Sequence, residues 1–469
     1  MMKNVILILL LLLVFIGFSS CSKGDDPAPY QQEETPPEEE DPVEEEPTDL
    51  PTGFTGEVAW VNTLGGSGID EANDIIATSD GNYLIVGNTY SNDGDVTGKT
   101  TTDSDYWLIK INSSGGVIWN RVYGTEEDEV ATHVSNTNDG GYIVAGYSRG
   151  NNCAVDSNQG FHDYWFLKLN AQGDEEWCKN YGFGGSDQAF DIFQTSDGGY
   201  FATGYFDVSA SGGEGNADRS GQGTQHGVGE FWCMKLDASG EYYWTRYYGG
   251  TNNDRSYDAL ETADGGFLLF GHSESDDFDI TDSKGSYDYW VVKVSGDGVM
   301  QWTKSFGGLG IDVAYAATQA PNGNYFIVGD SRSNEQDVTQ NYGNADLWLV
   351  EMNPSGGLVS QKSFGGSQFD TARGIEVLSG GYILMTGASG SSDNDVSENK
   401  GFNDMWVVIL NPQKELVFEK SIGGSNIDFG EAVVVTPDGS VISVGDTESS
   451  DGNIAQNKGS KDILIVKIN

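Results

Sequence analysis

The chain has 469 residues, with 72 acidic against 24 basic side chains and a formal net charge of −48 at pH 7. So large an acidic excess excludes nucleic-acid binding, because Lys and Arg neutralising phosphates supply that affinity. It suits solubility in salt and an attraction for cations.

Residues 1–21 form a targeting segment. Lys3 gives the positive start, Val5 to Phe18 the apolar run, and Ser19-Ser20-Cys21 the small-residue exit. The apolar run is too short for a membrane span. A Cys at the cleavage point resembles the lipobox of bacterial lipoproteins, with Phe18 where that family usually carries Leu. The resemblance implies lipidation of Cys21 and anchoring in the outer membrane. Asp25-Asp26 resembles the surface-export signals of some lipoproteins, so the domain is expected on the surface or facing the periplasm. Residues 22–52 hold 12 acids, one base and seven of the 11 prolines. Such a segment cannot bury a core and is expected to be an extended, self-repelling stalk.

Residues 53–469 carry a net charge of −38 and a repeat. Its marker is an Asp after a Gly-rich turn: Asp70, Asp128, Asp187, Asp254, Asp312, Asp370 and Asp428, spaced by 58, 59, 67, 58, 58 and 58 residues. A fixed period of this length signals one supersecondary unit repeated. In the first unit "ANDIIAT" and "NYLIVGN" flank the turn pair Asp80-Gly81 and predict a hairpin. A polar loop follows, then "DYWLIKIN", the turn Ser114-Gly115-Gly116 and "VIWNRVYG". These four strands, A to D, predict a propeller blade. The seventh unit stops after its strand C, and the missing strand D stands ahead of the first unit, within Gly56 to Gly66. The expectation is an all-β, seven-bladed propeller closed by the N-terminal strand, which covers the edges an open sheet would expose.

All 11 tryptophans fall at two repeat positions, in strands C and D, which predicts packing between blades. The segments "KINSSGGVIW", "KLNAQGDEEW" and "KLDASGEYYW" resemble the end of the tryptophan-docking motif of quinoprotein-type propellers. The resemblance implies the fold; an anionic quinone suits an acidic face poorly. Repeats of the form "DGGYIVAG…DYW…K" also resemble those of large secreted or lipidated bacterial proteins with lectin-like or endoglucanase-like labels. Cys153, Cys178 and Cys233 occupy non-equivalent positions, which predicts buried or incidental thiols, with at most one pair bridged.

In such a blade the A–B and C–D turns lie on one face and are tight. The D–A and B–C connections lie on the other, and function concentrates on long loops over a rigid scaffold. This face is expected to carry the Asp series at the mouth of the channel, as candidate ligand contacts. Oxygen residues two apart recur in the B–C loops, including Asp93/Asp95, Asp277/Asp279 and Asp393/Asp395. The spacing suits Ca²⁺ ligation and equally suits capping of turns by Asp. Symmetry breaks at the Gly- and Ser-rich 207–229 loop, expected to be mobile, and at isolated arginines: Arg149, Arg219, Arg255, Arg332 and Arg373. These would hold a carboxylate-bearing ligand or form surface ion pairs. Tyr90, Tyr147 and Tyr205 end strand B within reach of a sugar. The four histidines are scattered and no catalytic spacing is legible. The sequence therefore points to a lipid-anchored envelope propeller that binds a protein or glycan through its acidic loop face. The alternative is a polysaccharide-active enzyme with an acid pair at the channel mouth.

Overall fold

A computed structural model describes residues 51–151, 153, 158–216 and 226–469. The signal segment with Cys21, the stalk up to residue 50 and Arg219 lie outside the described residues. The propeller has seven four-stranded antiparallel sheets, each in the order A-B-C-D from the axis outward. The inner strands are Asp70–Ala77, Glu129–Asn136, Gln188–Gln194, Asp254–Glu261, Asp312–Gln319, Asp370–Val377 and Asp428–Val435.

Closure follows the expected scheme. The strand Val58–Leu64 pairs antiparallel with Asp462–Ile468 and completes the seventh sheet. The Asn469 carbonyl also accepts the N–H groups of Thr55 and Gly56, both at 2.7 Å. The last blade thus draws strands from both ends of the propeller and reaches the same four strands as the other six.

The Asp-Tyr-Trp triplet that opens strand C explains how neighbours stack. In blade 1 the Tyr106 hydroxyl donates to the Trp165 carbonyl of blade 2 at 3.0 Å, and the two rings meet at 4.2 Å. Tyr164 repeats this on Trp232, and Tyr289 on Trp348. Such pairs add about 0.5–1.5 kcal/mol to simple burial. The strand D tryptophans pack sideways instead. Trp119, Trp177, Trp244 and Trp302 lie against Gly173, Gly240, Gly298 and Gly356, the left-handed glycines of the next blade's C–D turn. Both Trp positions therefore serve packing between blades, as the repeat predicts.

Each strand A carries a β-bulge three residues after the repeated acid, where the register with strand B slips by one residue. A glycine in strand B makes this possible. In blade 1 a β-carbon on Gly87 would collide with the Glu71 carbonyl oxygen. The bulge turns two successive side chains toward the channel axis.

On the tight-turn face, the turn acid is clamped by a Thr two residues before it and by a Lys from strand C. Asp264 accepts from Thr262 at 2.5 Å and from Lys293 at 3.0 Å. Those bonds hold its carboxyl down at about 2. Blade 5 swaps the chemistry: Asn322 replaces the acid and bonds Glu351, which replaces the Lys.

Of the three cysteines one pair is bridged, the most that the sequence allowed, and one is a buried thiol. Cys153 of the blade 2 B–C loop and Cys178 of its strand D form a disulfide, their Cα atoms 5.7 Å apart. The fold brings together positions that no sequence spacing couples. Cys233 is free and buried, and burial pushes its thiol pKa well up.

Candidate functional site

The repeated acids are buried within the blade rim. Asp254 is fully buried; it accepts the Gly250 N–H at 2.7 Å, the Ser275 hydroxyl at 2.9 Å and the Ser273 hydroxyl. Asp70, Asp312, Asp370 and Asp428 repeat this bonding, and Asp187 accepts the N–H groups of Phe183 and Asp207. Blade 2 corrects the alignment. The residue at the equivalent place is Glu129, fully buried and bonded to Thr125 and Ser148, while Asp128 is partly exposed and faces Arg149 at 3.4 Å. These side chains are thus not open contacts at a channel mouth, as the sequence suggested; they fasten the connection into each blade.

The acids that open strand C meet them across the blade boundary. Asp163 neighbours Asp187, Asp288 neighbours Asp312, and Asp346 neighbours Asp370. Burial, and secondarily the neighbouring carboxylate, pushes Asp187 and Asp346 to about 7 and Asp288 to about 6; burial takes Asp163 to about 6.

The paired loop oxygens clamp the same connection. Asp93 accepts the Ser67 N–H at 2.7 Å and Asp95 the Gly65 N–H at 3.0 Å. Asp277 and Asp279 hold Thr251 and Gly249; Asp393 and Asp395 hold Ser367 and Gly365. The residue between each pair is left-handed: Gly94, Phe278 and Asn394 have φ of 65°, 49° and 54°. Among the described residues no group of three or more His, Cys, Asp or Glu side chains has a metal-holding arrangement.

The enlarged loop is anchored on both described flanks. Asp207 caps the short helix Val208–Ser211, whose Val208 is fully buried, and Thr245 donates to the Gly215 carbonyl at 2.7 Å. His226 packs on Phe278. These flanks belong to blade 3 and do not stand off it as a mobile arm. Arg149 lies over Phe161 and faces Asp128 and Glu127, and Arg332 is exposed.

Symmetry breaks instead along the axis, where the channel holds a cavity of about 540 Å³. The bulged position carries Asn73, Thr132, Phe190, Tyr257, Tyr315, Arg373 and Glu431 in blades 1 to 7. The next position carries Asp74, His133, Asp191 and Asp258 in blades 1 to 4, then Ala316, Gly374 and Ala432.

One wall is aromatic. Phe190 and Tyr257 meet edge to face at 4.8 Å, and Tyr257 and Tyr315 at 5.5 Å. Arg373 caps the far end, its guanidinium 3.9 Å above the Tyr315 ring and 3.9 Å from Glu431. At the near end Phe190 stacks on Tyr205, which carries Arg255 at 4.6 Å. Two of the five arginines singled out from sequence therefore terminate one aromatic arc.

The other wall is carboxylate and imidazole. His133 lies between two acids, with Nδ1 3.0 Å from Asp191 and Nε2 3.5 Å from Asp74. The acids also reach across blades: Asp74, Asp191 and Asp258 accept the N–H groups of Val134, Ala259 and Ala317 at 2.7–2.9 Å. Burial alone would lower His133; Asp191 and Asp74 outweigh it and raise its pKa. Asp258 is pushed to about 8 by burial and by Asp191.

Sequence reasoning missed this set for a definable reason. Alignment on Asp128 put His133 five residues after the marker. Alignment on Glu129 puts it at four, beside Asp74, Asp191 and Asp258, and the pattern appears.

No family model and no curated protein matches the chain. Solved structures give distant likenesses. The WD40 β-propeller domain of Doa1 is 12% identical with a TM-score of 0.48, over 88% of this chain and 97% of that one. A Bacteroides caccae protein of unknown function is 12% identical with a TM-score of 0.40, over 69% and 94%. A putative gluconolactonase is 10% identical with a TM-score of 0.34, over 89% and 94%. At these values the likenesses carry no argument about activity.

Proposed function

We propose that the protein is a binding propeller of the cell envelope. It is lipid-anchored at Cys21, lifted from the outer membrane by the 22–52 stalk, and captures a protein or glycan partner at its channel. The carrying observation is a cavity lined by unrepeated residues inside a scaffold that otherwise repeats seven times. Aromatic faces beside a few polar groups are the usual make-up of a ligand pocket. The signal-like start and the Cys153–Cys178 bridge support an exported, oxidising location. The acidic charge argues against nucleic acid.

The test is a glycan array beside a pull-down from envelope extracts, using the full chain and a Tyr257→Ala variant. Capture by the parent and loss by the variant, with an unchanged melt, is the expected result. Capture that survives Tyr257→Ala would remove the channel from the reading. A second reading, glycan hydrolysis, is favoured by Asp258, which keeps its proton near neutrality in the same cavity as Asp74. Release of oligosaccharides that Asp258→Asn abolishes would promote it; no hydrolysis of common β-glucans is expected.

A further inference from the structure

Two blade boundaries place different chemistry at the same three positions: the residue before the acid that opens strand C, the second residue of the next inner strand, and the next-to-last residue of strand B. Where blade 7 meets blade 1 these are Lys461, Glu71 and Asp446. The Lys461 ammonium lies 3.0 Å from Glu71 and 3.1 Å from Asp446, so this boundary matches its charges from within. Where blade 3 meets blade 4 the same positions hold Gly229, Arg255 and Tyr205; the bridges Ile69–Lys461 and Gly229–Asn253 fix the equivalence. Here the charge is reversed and unanswered. The Arg255 guanidinium lies 4.6 Å from the Tyr205 ring, and its Nε is buried without an acceptor. Among the described residues Arg255 forms no ion pair, in a chain with 72 acidic against 24 basic side chains. Glu274 of the following loop accepts instead from Tyr287 and Asn253, both at 3.0 Å.

Gly229 keeps this cation within reach. A β-carbon there would stand 3.7 Å from Arg255 Nε, 3.8 Å from Tyr205 Cδ2 and 3.6 Å from Asn253 Oδ1, which are ordinary contact distances. A side chain would therefore fit and would cover the guanidinium, as Lys461 covers Glu71; glycine leaves a slot. Two further polar atoms adjoin it. Asn253 spends its amide nitrogen on Glu274 and turns Oδ1 to the slot. His272 pairs with Arg255 across the strands; it is only 6% exposed and its Nδ1 has no partner. Burial and then the Arg255 charge push His272 down to about 3, so the ring is neutral. A guanidinium fork matches the two oxygens of a carboxylate. With one cation at the slot, a singly charged group is matched and a phosphate dianion is not. A hydroxyl donates to Asn253 Oδ1, and it donates to or accepts from His272 Nδ1 in either tautomer. The end of a peptide brings only N–H donors beside its carboxylate.

We infer that the boundary of blades 3 and 4 is a subsite for a sugar acid, whose carboxylate pairs with Arg255 in the slot left by Gly229 and whose hydroxyls meet Asn253 and His272. None of these four residues lines the channel cavity, so the inference goes beyond the channel reading and stands or falls apart from it.

Isothermal titration of the full chain at neutral pH tests it, with methyl glucuronide, methyl glucoside, glucose 6-sulfate and N-acetylglycine as probes. Methyl glucuronide should bind at least about tenfold more tightly than methyl glucoside, which lacks the charge-assisted pair. Arg255→Gln should erase that preference, and Arg255→Lys should keep only part of it, because an ammonium is a point charge without the fork. Gly229→Asp is the sharper variant. It brings a carboxylate of the chain's own to Arg255, so glucuronide binding should be lost while the protein melts no lower than the parent. Four results would overturn the inference: no binding of methyl glucuronide, equal affinity for glucuronide and glucoside, tighter binding of the sulfate or of N-acetylglycine, or a glucuronide preference that survives Arg255→Gln or Gly229→Asp. Capture of a partner that depends on Tyr257 would stand through any of them, since that residue belongs to the channel.

Discussion

Asp254 and Asp258 lie four residues apart on the inner strand of blade 4 and do different work. Asp254 has a counterpart in every blade, is fully buried and spends its oxygens on three donors around the turn that enters the blade. Asp258 has acidic counterparts only in blades 1 and 3, and lines the cavity. The same side chain thus fastens the entry to the blade at one position and lines the axial cavity at the other. Repetition separates the two roles: what recurs seven times maintains the blade, and what varies at an otherwise fixed position is free to meet a ligand.

The fastening side of this contrast is largest where the ring closes. Deleting residues 57–64 removes the outer strand of blade 7 and leaves the Asp462–Ile468 edge unpaired. The melting temperature should fall by about 10 °C or more, since many contacts are lost at both ends of the chain. A truncated protein that melts within a degree of its parent would mean that the ring does not depend on this strand.

A smaller effect should appear with pH. Buried acids at the blade boundaries have raised pKa values, about 6 for Asp163 and Asp288 and about 7 for Asp187 and Asp346. The folded state holds protons that the unfolded chain gives up near pH 4. Their stabilisation is therefore full below about pH 4 and is lost as pH rises through 6 to 7. The tight-turn acids act oppositely, but Asp139, Asp197 and Asp264 sit near 2 and lose their contribution only in stronger acid. Melting should be higher at pH 5 than at pH 8. A melt that is flat or rises toward pH 8 would place these carboxyls in a more solvated setting than the blade boundary offers.

The sequence displayed the scaffold because blade-forming signals are local. Turn pairs such as Asp80-Gly81, the alternation of "DYWLIKIN" and the displaced strand D are each legible within a dozen residues. The cavity was not legible, because its lining depends on a bulge that reorients two side chains per strand. The bulge leaves only a glycine in the partner strand as its trace. One misassigned residue, Asp128 for Glu129, then hid His133 from its column. Oxygens two apart did not distinguish turn clamp from calcium loop, since both need alternate side chains converging on one turn. The Cys153–Cys178 bridge joins a loop to an outer strand of one blade, a proximity that only the folded blade creates.

Asp254→Asn and Asp258→Asn, compared in one titration series with melting recorded alongside, put the division of labour to its sharpest trial. Asp254→Asn should lower the melting temperature by several degrees, since an amide cannot accept from all three donors, while the folded fraction binds as the parent does. Asp258→Asn should melt within about a degree or two of the parent and lose ligand at least about tenfold. The reverse pattern, in which Asp258→Asn melts early and binds normally while Asp254→Asn is stable and fails to bind, would contradict the account.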